Sequence, residues 1–304
     1  MAYLSASNLT KSYGRIAALK GFSFEVKRGE IFALVGPDGA GKTTTISILC
    51  HLIDADSGSA IIDNKDVFTQ FRSIKPLLGY MPQSFSLYPD LSVEENLEFY
   101  SGIFGVTGDA FRKKRDYLYT FSNLAPFANR RASALSGGMK QKLALSCALV
   151  HEPQILILDE PTTGVDPLSR RQFWEILLDL KRQGAAILVT TPYMDEVEHA
   201  DRACFIFGGR KLAQGTPSQL AKEFRGKVYF LDSLPNAELT KQLNEINGLS
   251  ARRFGAGMHL HIGRQANIDD FVPQLESLGI DARRLVVTEP SLEDRFIELM
   301  EQSS

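Results

Sequence analysis

Apolar and polar positions follow two different periods along the 304 residues, and the changes of period divide the chain. From Tyr3 to Leu9, and again through Leu19-Lys20-Gly21-Phe22-Ser23-Phe24-Glu25-Val26, apolar and polar residues alternate. That period predicts short antiparallel strands with one buried face. Ile31-Phe32-Ala33-Leu34-Val35 is apolar throughout, as a strand covered on both faces of a parallel sheet must be. Runs of the same kind at 155–158, 186–190 and 203–207 are separated by helical stretches such as 168–181, which argues an α/β core with a parallel sheet. Between about 92 and 150 no strand pattern appears. Ser92-Val93-Glu94-Glu95 reads as a capping box opening a helix, so this stretch is expected to be a helical insert. Beyond Gly226 the order is strand 228–231, helix 237–246, strands 250–254 and 258–262, helix 268–278 and strand 284–288. That βαββαβ order predicts a small α+β domain of the ferredoxin-like kind, with a last helix over 291–300 capped by Ser291-Leu292-Glu293-Asp294. Two domains are expected, 1–225 and 226–304.

Composition narrows the setting. Hydrophobic content of 44% and charged content of 23% suit a globular protein that buries a full core. The net charge of −2 gives no general attraction to nucleic acid, and from Arg225 onward 9 basic residues face 12 acidic ones, so no nucleic-acid partner is expected. No apolar run is long enough to span a bilayer. The start, Met1-Ala2-Tyr3-Leu4-Ser5, lacks the basic and apolar regions of an export signal, and the expectation is a soluble, unexported chain. Cys50, Cys147 and Cys204 all sit in apolar surroundings without metal-ligand spacing, which predicts buried free thiols in a reducing compartment.

Candidate chemistry starts at Gly36-Pro37-Asp38-Gly39-Ala40-Gly41-Lys42-Thr43-Thr44, between a buried strand and a helix expected to begin at Lys42. Glycines at 36, 39 and 41 let consecutive backbone N–H groups point inward without Cβ clashes, and the helix N-terminus adds positive potential. Lys42 is placed to reach the β- and γ-phosphates of a nucleotide, and Thr43 offers a hydroxyl to Mg2+. Asp38 would be repelled by a triphosphate and is expected to face outward, or toward a second subunit. Asp159, ending the apolar run Ile155-Leu156-Ile157-Leu158, is a carboxylate that serves a bound cation. Glu160 beside it is placed to orient or deprotonate an attacking water. In Leu135-Ser136-Gly137-Gly138-Met139-Lys140-Gln141, Ser136 can cap a helix whose first N–H groups Gly137 and Gly138 leave open, making a second anion site.

These three segments, in this order, resemble the ATP-binding cassette (ABC) transporter ATPases over about residues 3–222. The resemblance implies a P-loop NTPase-type sheet, an N-terminal antiparallel β subdomain, and ATP with Mg2+ as ligands. It also implies further roles. Tyr13 stacks on adenine, Gln83 senses Mg2+, and Asp166 in Gly164-Val165-Asp166 lies on a loop crossing a dimer interface. The signature residues Leu135, Ser136, Gly137, Gly138 and Gln141 contact the ATP of a second copy. Leu87-Tyr88-Pro89-Asp90-Leu91-Ser92-Val93-Glu94-Glu95-Asn96-Leu97 and Glu289-Pro290-Ser291-Leu292-Glu293-Asp294-Arg295-Phe296 are most similar to the type-two, multidrug-exporter branch. A membrane permease is the implied partner, with a homodimer or a heterodimer with another ABC ATPase. The implied location is cytoplasmic, on the inner face of the membrane.

One position departs from the family. After Ile187-Leu188-Val189-Thr190-Thr191 the family places a histidine that contacts the γ-phosphate; here Pro192 has neither a side-chain donor nor an N–H. His199, seven residues on, is expected on a helix surface. A hydrolysis-impaired cassette serving a competent paralogue is therefore an alternative reading, and a soluble non-transport ATPase is another. Among weaker signals, Arg112-Lys113-Lys114-Arg115 reads as a solvated helix face, with a lipid or partner contact as the alternative. His259 with His261, alternating on one strand face, reads as an ordinary half-exposed strand, with a metal pair as the alternative. Phe99, Tyr100 and Phe104 read as packing or a docking surface.

Overall fold

The computed structural model describes residues 2–234 and 236–303, so Met1 and Ser304, at the ends of the expected domains, lie outside it. The chain divides into two compact units, Met1–Pro217 and Ser218–Ser304.

The first unit begins with β1 (Ala2–Tyr13) and β2 (Ile16–Lys27), each 12 residues long and thus longer than the alternation alone suggests. They pair antiparallel, with register shifts that keep Leu4, Leu9, Phe22 and Val26 buried while the polar residues between them face out. β3 (Ile31–Val35), α1 (Lys42–Leu49), β4 (Ser57–Ile62), β5 (Lys65–Asp66), α2 (Val67–Ile74) and β6 (Leu78–Met81) follow. The insert consists of α3 (Val93–Ile103), α4 (Gly108–Ser122) and α5 (Gly137–Leu149). Ser92 accepts from Glu95 N–H at 3.1 Å and Glu95 Oε2 accepts from Ser92 N–H at 2.7 Å, closing the expected capping box. Then come β7 (Ile155–Asp159), α6 (Pro167–Arg182), β8 (Ala186–Thr191), α7 (Met194–Val197), β9 (Arg202–Phe207) and β10 (Arg210–Gly215); α8 (Pro217–Lys222) starts at the last residue of this unit and otherwise belongs to the second.

β2-β1-β4-β5 form an antiparallel sheet, and β10-β9-β3-β8-β7-β6 form the second, parallel except for β10 at its edge. Every residue of β3, β7 and β8 is buried, which explains their unbroken apolar runs. One core spans both sheets, with the Phe22, Phe24 and Phe32 rings in successive contact at 5.4 Å. All three cysteines are buried and free, as expected.

The second unit contains β11 (Lys227–Leu231), α9 (Ala237–Asn244), β12 (Leu249–Phe254), β13 (Gly257–Ile262), α10 (Val272–Ser277), β14 (Val286–Thr288) and α11 (Leu292–Ser303). Its antiparallel sheet runs β12-β13-β11-β14, with the first and third strands of the βαββαβ unit adjacent at its centre. α9 stops at Asn244 because that side chain turns to bond both N–H and C=O of Ala251 on β12. The strand expected from 284 starts only at Val286, since Asp281 caps a 3-10 turn over 282–284. The helix expected over 268–278 begins as a 3-10 turn at 268–271, with Pro273 opening the α-helical part. The half-exposed strand expected around His259 and His261 is corrected: both are buried, against Asp294 of α11. Burial works to raise the Asp294 carboxyl, but hydrogen bonds from both histidines and Ser291 outweigh it and hold the group well below the usual carboxylate range. Among the described residues no helix is long and apolar enough to cross a membrane.

Candidate nucleotide site

Four adjacent parallel strands deliver the site. Val35, Met81, Asp159 and Thr191 end β3, β6, β7 and β8, so the loops after them leave the same carboxyl edge of the sheet, where open α/β sheets bind ligands. Register aligns these ends, with Val35 opposite Thr191, Asp159 opposite Thr190 and Met81 opposite Leu158.

The loop after β3 demands its glycines. Gly41 has φ +110°, and a Cβ there would lie 2.7 Å from the Ala18 carbonyl oxygen. α1 begins at Lys42, as its sequence predicts. The buried Lys42 ammonium donates to the carbonyls of Gly36 (2.8 Å) and Pro37 (3.1 Å) and pairs with Glu160 Oε1 at 3.0 Å. Thr43 is exposed and Thr44 half-buried on the first turn of α1, with Gly39 exposed and Ala40 buried ahead of them. The Asp38 side chain is 94% exposed and faces outward, though its Oδ1 lies 4.0 Å from Lys42 Nζ.

Glu160 holds φ +48°, a left-handed conformation that costs a non-glycine residue on the order of 1 kcal/mol. Its carboxylate accepts from Gln83 Nε2 at 2.9 Å and Thr163 Oγ1 at 3.3 Å. Asp159 is buried beside it, and burial pushes its carboxyl above the ordinary range; hydrogen bonds from Thr190 and Thr43 oppose this and the Glu160 charge adds to it. Two adjoining buried carboxylates with one ammonium between them and the loop suit a divalent cation. Such an ion relieves their repulsion, and Thr43 stands ready with a hydroxyl.

Thr190, absent from the sequence reading, is central. Its buried Oγ1 donates to Asp159 Oδ1 at 2.6 Å and accepts from Glu160 N–H at 2.9 Å, tying the two acids to β8. The only signal in the sequence is a pair of hydroxyls ending an apolar strand. Glu196, also missed, is buried and receives the hydroxyls of Thr162 and Thr191 and an ion pair from Arg170 at 3.3 Å.

Known proteins resemble this chain in sequence and fold. The family model described as ABC transporter matches residues 19–163. The linearmycin resistance ATP-binding protein of Bacillus subtilis is 32% identical over 97% of each chain. The chain belongs to the ABC transporter ATP-binding family. A probable multidrug ABC transporter ATP-binding protein of Escherichia coli is 45% identical over 71% of this chain, and that match spans 38% of the relative's length. A dimeric ATP-binding cassette in a post-hydrolysis state with ADP and Pi superimposes with a TM-score of 0.65 at 28% identity. It covers 70% of this chain and 98% of that one.

The remaining cassette residues lie apart from this cluster. Ser136 caps α5, accepting Met139 N–H at 3.3 Å, with Gly137 exposed next to it and Leu135 buried behind. A Cβ on Gly138 would meet Ser169 Oγ at 2.4 Å, so close packing on α6 requires that glycine. Asp166 is exposed and caps α6 through Ser169 N–H at 2.9 Å, which holds its carboxyl below the usual range. Gln141 is half-buried on α5, and Tyr13 is half exposed at the end of β1 with Lys11 Nζ 5.8 Å from its ring centre. Among the described residues no hydrogen bond joins the signature segment to the phosphate loop or to Glu160. Pro192 follows β8, where Thr191 Oγ1 receives Tyr193 N–H at 3.0 Å. His199 lies in a turn beyond the one-turn helix α7, its ring 5.4 Å from that of Trp174.

Proposed function

We propose that this chain binds Mg2+ and ATP and hydrolyses the nucleotide as the cytoplasmic subunit of a membrane exporter. The observation that carries the reading is the convergence of Lys42 and Gln83 on Glu160, with Asp159 adjoining on a strand end. In this reading Asp38, Gly39, Ala40 and Gly41 present backbone N–H groups to the phosphates, Gly36 and Pro37 shape the loop and hold Lys42 through their carbonyls, Lys42 takes the phosphate charge, and Tyr13 stacks on the base. Bound Mg2+ would neutralise charge on the β- and γ-phosphates, held by Thr43, Gln83 and Asp159. Glu160 orients and deprotonates the attacking water. Ser136, at an open helix N-terminus, contributes to the γ-phosphate of a second copy, and Asp166 lies along the same interface. The names of a multidrug transporter relative and of a Nod factor export relative support the exporter reading, and the dimeric cassette supports pairing of two copies.

A permease segment docks, in this reading, in an apolar groove of about 450 Å³ lined by Leu52, Tyr80, Leu87, Tyr100, Phe104 and Ala148. Asn96 fixes its rim, accepting Tyr88 N–H and donating to the carbonyls of Tyr88, Leu91 and Ser92. Tyr88 and Phe99 meet edge to face beside it at 4.6 Å, both exposed.

The decisive experiment compares wild type with Glu160→Gln in the purified chain. Hydrolysis falls by roughly 10²–10⁴-fold while ATP remains bound. Undiminished turnover would place the base elsewhere. Pro192 favours a second reading, in which this chain hydrolyses slowly and completes the site of a competent paralogue. One lost electrostatic donor at a transition state is worth about 3 kcal/mol. On that reading Pro192→His raises turnover at equal ATP occupancy; a wild-type rate already high and unchanged by the substitution removes it.

A further inference from the structure

His259 and His261 stand two residues apart on β13, so the period of a strand sends both rings to one face of the sheet. Asp294, in the first turn of α11, reaches between them. Its Oδ2 lies 3.0 Å and its Oδ1 3.2 Å from His259 Nδ1, and Oδ1 lies 2.6 Å from His261 Nε2. The three residues are 2%, 7% and 4% exposed, and their three ligand atoms all lie within 4.8 Å of one another. We propose that His259, His261 and Asp294 bind one divalent first-row transition-metal ion of the zinc type.

The donor set fits. Two imidazole nitrogens and one carboxylate oxygen suit zinc and its neighbours far better than magnesium or calcium, which take oxygen ligands. The spacing fits too. A tetrahedral ion with bonds of about 2.0–2.2 Å separates adjacent ligand atoms by about 3.3 Å. The N···O separations here are 2.6–3.2 Å, so admitting the ion requires the cluster to open by a few tenths of an ångström.

The ligands are also held from behind. Asp294 accepts Ser291 N–H and Ser291 Oγ–H, each at 2.7 Å, which fixes the carboxylate's position on α11. Phe254 stacks on His259 with ring centres 3.7 Å apart, and Phe224 lies 5.7 Å from His261. His261 Nδ1 is buried without a partner, so that ring is oriented through Nε2 alone, the atom offered to the ion.

Access is provided by a cleft of about 500 Å³ that His261 and Asp294 line together with Arg252, Glu298 and Glu301. Three protein ligands at a cleft wall leave a fourth position for water. The ion would join β13 to α11 across more than thirty residues of chain. In a unit this small, metal binding of that kind is folding free energy.

The test uses the full chain in buffer without nucleotide, with Co2+ as a visible probe. One Co2+ per chain binds with d–d absorption, Zn2+ displaces it, and Zn2+ raises the unfolding temperature. His261→Gln, which keeps a side-chain donor toward Asp294, lowers affinity by more than about 100-fold, beyond the loss typical of an outer-shell partner. Asp294→Asn does the same, and circular dichroism checks the fold of both. Asp159→Asn, at the nucleotide site, leaves the Co2+ spectrum intact. No stoichiometric uptake by wild type overturns the proposal. So does a spectrum lost in Asp159→Asn, or one retained in a folded His261→Gln chain.

Discussion

Replacing Thr190 by valine removes one hydroxyl from the centre of the site and nothing else. The residue is fully buried, and valine keeps both the volume and the β-branched shape that the strand requires. Two partners lose their bond. Asp159 Oδ1 loses a donor at 2.6 Å, and the Glu160 N–H loses its acceptor at 2.9 Å. A hydrogen bond to a charged group contributes about 1.5–3 kcal/mol, and an orphaned buried donor costs about 1–3 kcal/mol. Glu160 carries a left-handed backbone that can relax once untied, and the loops beyond the strand ends admit water, so the net loss falls near the lower end, about 2–4 kcal/mol. Urea unfolding followed at Trp174 measures it. This is the chain's only tryptophan, buried on α6 in the same unit, so its emission reports that unit alone. The midpoint should fall with an unchanged slope, and Thr190→Ser should recover most of the loss. ATP hydrolysis should drop by at least about tenfold, because the backbone of the proposed base is no longer held. A stability change below about 0.5 kcal/mol, the level of an ordinary surface substitution, would refute the tie between the strand and the two acids.

Two further outcomes follow from the same geometry. Burial raises the Asp159 carboxyl, so the unfolded chain loses that proton first and stability falls as pH rises from the ordinary carboxylate range toward the folded value. Asp159→Asn should therefore unfold at a higher temperature than wild type at neutral pH without Mg2+ or nucleotide, with the gap closing in acid; equal stability at every pH would reject the burial argument. A photo-crosslinker at Tyr88 or Phe99 should label a co-expressed permease, and labelling confined to positions within 226–304 would remove the groove from the docking surface.

The parts of the fold written in local pattern were legible. Ile31–Val35 and Ile155–Asp159 are buried on both faces, and their unbroken apolar runs said so. The glycine-rich loop was legible from its spacing between a buried strand and a helix, although two of its glycines answer demands set far along the chain, a Cβ on Gly36 falling 2.2 Å from the Ile206 carbonyl oxygen and one on Gly41 2.7 Å from that of Ala18. Thr190 and Glu196 were not legible. A threonine late in a strand is what β-propensity favours anyway, and an acid after a proline reads as surface until Thr162, Thr191 and Arg170 are seen to enclose it. The histidines were misread for a related reason. Alternation on β13 implied one covered face and one open face, but α11 brings Asp294 onto that strand from beyond residue 290. Element ends slipped where a side chain intervened, as Asn244 and Asp281 do.

The contacts of Lys42 and Glu160 connect binding, chemistry and docking in the proposed function. Lys42 is held by two loop carbonyls and lies 3.0 Å from Glu160, so a triphosphate drawn to that ammonium competes with the carboxylate for it. Once the ammonium turns to phosphate, Glu160 keeps Gln83 and Thr163 as its partners, and its strained backbone remains tied to Thr190. A carboxylate released from an ammonium has an oxygen free to accept a hydrogen bond from water, so in this reading nucleotide binding itself frees the group that activates water. Gln83 immediately follows Pro82, which lines the apolar groove. A partner pressing into that groove therefore acts on the one uncharged amide that positions the base. Pro192 lies on the opposite side of this logic. Its segment is fixed through Thr191 and Glu196 without any imidazole. On the proposed function, the rate the chain attains depends on how well Gln83 and the Ser136 of a second copy complete the site around Lys42, Asp159 and Glu160.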